Sequence, residues 1–216
     1  RLRTVTGVQT CALPILIEAM SSGEAMIGEV GSSVAAASVL EERGLEIVWI
    51  IDIIADAEQL VATPASGIKS VTDLRGKKIA TPFGSTSHYQ LVFSLVKAGV
   101  DLSNVKIIDL RPSEIASAWT TGDLDAAFIW SPVLENIKAL GAIKIASSAD
   151  IAQQGAPTFD VLLANKVWAR ANTDFLIGLI RTMENANAIY RSGGYLVDSP
   201  LVKEIADGLQ IGRAHV

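Results

Sequence analysis

Lys77 to Tyr89 reads KKIATPFGSTSHY, and the reading of this stretch decides the fold. Lys78-Ile79-Ala80 is a short apolar run stopped by Pro82 and Gly84. Leu91, Val92, Leu95 and Val96 then recur at helical spacing, which predicts strand, tight loop and helix in that order. The loop Gly84-Ser85-Thr86-Ser87 places small hydroxyl side chains and unsatisfied backbone N–H groups at the positive end of the new helix. Such an end suits a small anion. A hydroxyl there is also the commonest plain helix cap, so the stretch alone leaves both roles open.

The two ends of the chain read differently from its middle. Thr10 to Ile15 can be encoded ACG TGT GCT CTT CCG ATC, and the opposite strand, read one base in, encodes Ile-Gly-Arg-Ala-His-Val, the residues Ile211 to Val216. Residues 1–15 and 211–216 are therefore expected to be tails derived from a sequencing adapter, and they are set aside from fold reasoning. Cys11 and His215 fall in these tails, which leaves His88 as the one histidine between them and no cysteine. Thiolate catalysis and a metal site built on cysteine or several histidines are thereby excluded. Removing Arg1, Arg3 and Arg213 from the 18 basic residues leaves 15 against 23 acidic, a net charge of −8. An acidic chain with no basic run has no footprint for nucleic acid or an anionic membrane. Local donors must therefore hold any anion.

Between the tails, about 195 residues at half apolar composition can bury a sizeable core as one domain or two small lobes. The apolar run Ile47 to Ile54 is interrupted by Asp52 and is too short to cross a bilayer. The pattern predicts a helix ending near Ser22, a strand at Ala25–Val30, a helix opened by Gly31-Ser32-Ser33 and a buried strand at Leu45–Ile53. A short strand at Gln59–Ala62 follows, and the Pro, Ala, Ser and Gly of Thr63–Ser70 read as a connection between lobes. Further strands are expected at Val105–Leu110, Ala126–Trp130, Ile143–Ile145 and Phe159–Leu163. Helices are expected at Pro112–Thr121, from Ser131-Pro132 to Leu140, and as a long amphipathic element at Asn172–Tyr190.

One pattern occurs twice. Ala19–Ser33, AMSSGEAMIGEVGSS, and Ala118–Pro132, AWTTGDLDAAFIWSP, both run helix end, two hydroxyls, glycine, acid, apolar strand and polar loop. Two related α/β lobes would produce this echo, with their loops at the carboxyl ends of mainly parallel strands, where such sheets bind ligands. A cleft between them is the usual place for a small molecule.

The motifs GKKIATPFGSTSHYQL, GDLDAAFIWSPVL and GAPTFDVLLANK resemble the taurine and alkanesulfonate substrate-binding proteins of bacterial ABC importers. The similarity runs from about Ile17 to Gly193 and is strongest to taurine-binding proteins. It implies an α/β, two-lobe periplasmic-binding-protein fold of the type with two chain crossovers. Lobe 1 would comprise residues 16–65 and 159–210, and lobe 2 residues 66–158. Against that pattern the chain is short at both ends, so part of the site is expected to lie outside it. The resemblance implies a sulfonate held by Ser32 and Ser33 on lobe 1 and by Ser85, Thr86 and His88 on lobe 2, with Trp130 packed on the ligand's carbons. It places the ligand's amine on Asp160, with Asp56 and Glu58 as second choices. It further implies a periplasmic monomer that delivers taurine or another small alkanesulfonate to a membrane permease, with no cofactor, metal or catalysis.

The residues leave bland roles open beside these. Trp130 could be core, Tyr89 packing, His88 a cap, and Arg111 an exposed helix start, while Trp49, Trp119 and Trp168 are assigned to core or lobe surface. An enzyme remains an alternative, since the fold also occurs in thiamine-pyrimidine synthases, but GSTSH is no nucleophile elbow. A ligand-sensing domain of a transcriptional regulator is the other.

Overall fold

A computed structural model describes residues 13–192; the expected tails at 1–12 and 211–216, and residues 193–210, lie outside the described residues. The chain divides into two compact units, Arg1–Trp168 and Ala169–Val216. The first unit carries both sheets. It opens with α1 (Leu13–Ser22), which begins three residues inside the expected tail, then β1 (Ile27–Gly31), α2 (Ser32–Leu40) and β2 (Leu45–Ile54). Next come β3 (Glu58–Ala62), β4 (Lys78–Thr81), α3 (Thr86–Lys97), β5 (Lys106–Asp109) and α4 (Pro112–Thr121). β6 (Ala126–Trp130), α5 (Val133–Ala139), β7 (Ile143–Ser147), α6 (Ser148–Ala152) and β8 (Thr158–Asn165) complete the series of the first unit, and α7 (Lys166–Ala171) contains the boundary between units. In the second unit, α8 (Thr173–Arg191) is the long helix that the sequence predicts within a residue at either end.

The strands form a three-stranded sheet ordered β1-β8-β2 and a five-stranded sheet ordered β5-β4-β6-β3-β7. Each sheet has one strand running against the others. β8 lies antiparallel between β1 and β2, and β3 lies antiparallel between β6 and β7, while β4 pairs parallel with both β5 and β6. Those two strands are the ones that carry the chain across, β3 into the second sheet and β8 back to the first. This accounts for the departure from mainly parallel pairing: a strand that enters a sheet from the other sheet arrives against the direction set by local crossovers.

β3 also moves the first crossover. It belongs to the five-stranded sheet, so the chain changes sheets between Ile54 and Glu58. The Pro-rich stretch at 63–70 connects two strands of one sheet, where a boundary between lobes near residue 65 was expected.

Burial follows the pairing. The five-stranded sheet is covered on both faces, with Leu60, Ile79 and Phe128 in one cluster and Val61, Ala80 and Ile129 in the other. Each fully buried Leu, Ile or Phe contributes about 1.5–3 kcal/mol relative to exposure. A third cluster, including Met20, Val30, Val161 and Leu163, holds α1 and β1 against β8. β2, expected to be buried, is not: Ile47, Ile50 and Ile53 are 45%, 54% and 74% exposed. Among the described residues it pairs with β8 alone, and its register shifts twice, between Ile47 and Trp49 and between Ile50 and Asp52. An edge strand with two irregularities turns side chains off the core face.

Candidate functional site

Register brings the first group of residues together. β8 lies between β1 and β2 with Asp160 opposite both Gly31 and Asp52. Directly paired residues share a face, as do residues two apart, so Glu29, Asp52 and Asp160 crowd one side of the sheet at the ends of β1 and β2. All three line a cleft of about 610 Å³, together with Glu58, Ser85, Thr86 and Trp130 of the second sheet and its helices. Glu58 opens β3 opposite Trp130 on β6. The ends of both sheets therefore face a single cavity.

Crowded carboxyls in a partly dry cleft resist ionisation. Burial first, then the charges of Asp52, Glu29 and Glu58, pushes Asp160 up to about 7. Burial and the neighbouring Asp52 raise Glu29 as well. Glu58 is 7% exposed, and burial raises its pKa although hydroxyls favour its charged form. Thr86 Oγ1 donates to Glu58 Oε1 at 2.6 Å, and Ser148 Oγ reaches Oε2 at 3.4 Å. These four carboxyls share one wall of the cleft. Among the described residues, no three His, Cys, Asp or Glu side chains are grouped to hold a metal ion.

Opposite stands the N-terminus of α3. Ser85, extended at φ −72° and ψ 167°, accepts the backbone N–H of His88 and so caps the helix. Its own hydroxyl donates to Pro82 O at 2.6 Å. The Ser85 and Thr86 hydroxyls are thus engaged within the protein, one as cap and one on Glu58. With the His88 N–H on Ser85 Oγ and the Ser85 N–H on Pro82 O, what this helix end offers a ligand is the Thr86 backbone N–H and the helix dipole.

The remaining residues singled out in the sequence divide. Ser33 and His88 line a second, neighbouring groove of about 620 Å³ with Phe83 and Tyr89, and Ser85 and Val34 border both spaces. Ser33 Oγ donates across to Gly84 O at 3.1 Å. His88 stacks on Phe83 with ring centres 4.4 Å apart, and its Nδ1 accepts the Gly84 N–H at 3.3 Å. Burial lowers the His88 pKa, against the pull of Asp109. Ser32 Oγ accepts the N–H of Phe159 at 3.3 Å and ties α2 to β8. Asp56 does not line the cleft: it is exposed in the first crossover, 3.3 Å from Lys144 Nζ, and Ser147 first and Lys144 next hold its carboxyl below the usual range. Arg111 pairs with Glu114 at 2.6 Å, which holds that carboxyl at about 2.

Glu29 and Asp52 enter the site without having been singled out. Asp52 had a visible signal, a lone charge inside the run Ile47–Ile54, and Glu29 another, an acid inside the strand Ile27–Gly31.

A family model described as NMT1/THI5 like matches residues 16–190. The taurine-binding periplasmic protein of Escherichia coli is 31% identical over 175 residues, which are 81% of this chain and 54% of that protein. A putative aliphatic sulfonates-binding protein of the same bacterium is 28% identical over 189 residues, 87% of this chain and 58% of that one. The crystal structure of the periplasmic aliphatic sulphonate binding protein SsuA from Escherichia coli matches with a TM-score of 0.71 at 26% identity, covering 86% of this chain and 63% of that chain. The chain spans about half the length of the curated relatives it matches.

Proposed function

The chain belongs to the NMT1/THI5-like family, and on that premise we propose that it is the substrate-binding part of an ABC importer, a periplasmic monomer that captures taurine between its lobes for a membrane permease. The observation that carries the choice of taurine is the carboxylate wall of Glu29, Asp52, Glu58 and Asp160 facing the N-terminus of α3. A plain alkanesulfonate would meet like charge on that wall, whereas a zwitterion answers both sides: its ammonium neutralises the carboxylates and its sulfonate takes the helix end. Trp130, half-buried beside Glu58, supplies an apolar surface for the two carbons between them. The sulfonate contact from Thr86 runs through its backbone N–H, since its hydroxyl is engaged, while Ser85, whose own N–H donates to Pro82 O at 3.3 Å, borders the position. Ser32, Ser33 and His88 act as supports around this space.

Capture proceeds by closure on this reading, and the two changes of sheet support it. Two crossovers join the lobes, and a ligand that touches both favours their approach. Among the described residues, the geometry of Ser85 and the neighbouring His88 disfavours catalysis by that pair. Ser85 Oγ donates to Pro82 O while His88 Nδ1 accepts from Gly84 N, so each is engaged with backbone.

Calorimetric titration with taurine, ethanesulfonate and sulfate tests the reading, with turnover of each ligand followed in parallel. Taurine alone should bind, and Asp160→Asn should weaken taurine by about 2–5 kcal/mol, the usual cost of truncating one partner of a buried charge pair. Ethanesulfonate should lose far less. Preference for ethanesulfonate would move the function to general alkanesulfonate uptake, and turnover would move it to an enzyme. Binding of none would favour a sensor domain.

A further inference from the structure

Gly31 stands between β1 and α2 with φ −69° and ψ 154°, an extended conformation open to any residue, so its backbone does not ask for glycine. The reason lies across the cleft. A Cβ placed on Gly31 would stand 2.7 Å from Thr86 Cγ2 and 3.7 Å from Asp160 Oδ1. Carbon atoms in good contact sit about 3.5–4.0 Å apart, so a methyl here would push the opposing residue away. Thr86 cannot readily yield: it is 4% exposed, its Oγ1 is held by Glu58 at 2.6 Å, and a β-branched side chain has few χ1 options.

Gly31 belongs to the three-stranded sheet, and Thr86 opens α3 beside the five-stranded one. Two residues beyond Gly31, Ser33 Oγ donates to Gly84 O, a direct bond between the same two segments. The lobes therefore meet protein to protein at adjacent points, along the border between the cleft and its neighbouring groove.

We infer that Gly31 is a positioning residue for capture: its absent side chain is the space that seats the Thr86 methyl as the lobes close, and with the Ser33–Gly84 bond this contact sets how far the cleft shuts. The inference rests on the capture reading above and adds to it the residues that stop and hold closure. Since both contacts involve protein atoms alone, the seam biases the lobes together before any ligand contributes. A larger residue at 31 would hold the lobes apart while leaving each of them folded.

The test measures interlobe distance and affinity separately. In a Cys11→Ser background, Glu24→Cys and Lys106→Cys carry spin labels, one on each lobe, and pulsed resonance gives their distance distribution with and without taurine. Gly31→Ala is expected to lengthen that distribution without ligand and to weaken taurine at least tenfold, with an unchanged circular dichroism spectrum. Adding Thr86→Ser, which keeps the hydroxyl for Glu58 and removes the methyl, should restore both readouts. A general folding fault would not be repaired this way. Ser33→Ala, which removes the bond without adding bulk, should lengthen the ligand-free distance by a smaller amount, and it decides the matter if Gly31→Ala fails to fold. Unchanged distances in Gly31→Ala and Ser33→Ala, or no restoration by Thr86→Ser, would overturn the inference. If taurine binds none of these proteins, the capture of taurine falls, while the ligand-free distances still judge the seam.

Discussion

Glu58 accepts a 2.6 Å hydrogen bond from the Thr86 hydroxyl at the first residue of α3, so a carboxyl of the protein itself stands beside the helix end that the sequence offers to an anion. The arrangement sets the Glu58 balance between dehydration, which favours the protonated acid, and hydroxyl donors, which favour the anion. Dehydration wins, and the pKa is raised.

A carboxyl whose folded pKa is raised contributes stability that is fully present below its unfolded pKa and lost as pH rises through the folded value. Glu58→Gln removes that dependence while keeping shape. The variant is expected to gain stability relative to the parent as pH climbs above about 4.5, and to match it or fall below it under more acidic conditions. Thermal unfolding from pH 4 to pH 8 measures this. A stability difference that stays constant across the range would mean that Glu58 does not titrate as the hydrogen-bonded, buried acid described here.

Asp160 carries the same logic into binding. Its pKa is pushed up to about 7 by burial and by Asp52, Glu29 and Glu58. An ammonium ligand requires the ionised acid, so taurine affinity should rise as pH passes upward through about 7. Ethanesulfonate, which has no cation, should bind no better over the same range. In the ligand-free protein the sign reverses: the Asp160 contribution to stability is present below the ordinary carboxylate range and disappears as pH rises through about 7. Asp160→Asn should flatten both profiles. Titrations at pH 5.5, 7 and 8.5 check the point, and parallel profiles for the two ligands would remove Asp160 from the cation wall.

Ser85 separates capping from ligand contact. Its Oγ accepts the His88 N–H at 3.1 Å, and losing such a cap to alanine typically costs about 1 kcal/mol. Ser85→Asp keeps an acceptor for the cap and adds negative charge at the α3 N-terminus, where helix dipoles favour it. Ser85→Asp and Ser85→Ala both lose the 2.6 Å donation to Pro82 O, so both should melt below the parent, and taurine binding should fall at least tenfold further in Ser85→Asp than in Ser85→Ala because the added anion competes for the sulfonate position. Retained affinity in Ser85→Asp would place the sulfonate elsewhere in the cleft.

Local chemistry made much of the fold legible. In the internal echo, α1 and α4 end at Ser22 and Thr121, β1 and β6 start at Ile27 and Ala126, and the next helices start at Ser32 and Val133. Gly23 and Gly122 stop the two helices at φ 82° and 78°, a left-handed conformation that glycine adopts without penalty. Both signals sit within a few residues of what they determine. Of the residues named from the sequence, Ser85, Thr86 and Trp130 sit on such local signals, Glu58 and Asp160 were named through the resemblance, and all five line the cleft. Glu29 joins Asp52 and Asp160 through the register of β8, a pairing across more than a hundred residues that no local pattern encodes. The crossover near Ile54 was missed for the same reason. Pro64 and Gly67 mark a turn truthfully, but turn chemistry does not say whether the flanking strands share a sheet.

The separate cores of the two sheets imply separate stabilities. Phe128 on β6 is fully buried opposite Leu60 on β3, at the centre of the larger sheet, and Phe→Ala at such positions costs about 3–5 kcal/mol. The cluster under the smaller sheet shares none of its buried residues with those of the larger one. Phe128→Ala is therefore expected to speed hydrogen exchange chiefly at the amides of β3, β4 and β6 and much less at β1 and β8, because local opening follows the core that was weakened. Ile53→Ala, at a side chain 74% exposed, serves as the control and should change stability by less than about 0.5 kcal/mol. Equal acceleration in both sheets of the Phe128 variant would show that the lobes unfold as one unit. The two crossovers would then transmit stability as well as motion, and a ligand gripping one lobe would stiffen the other without touching it.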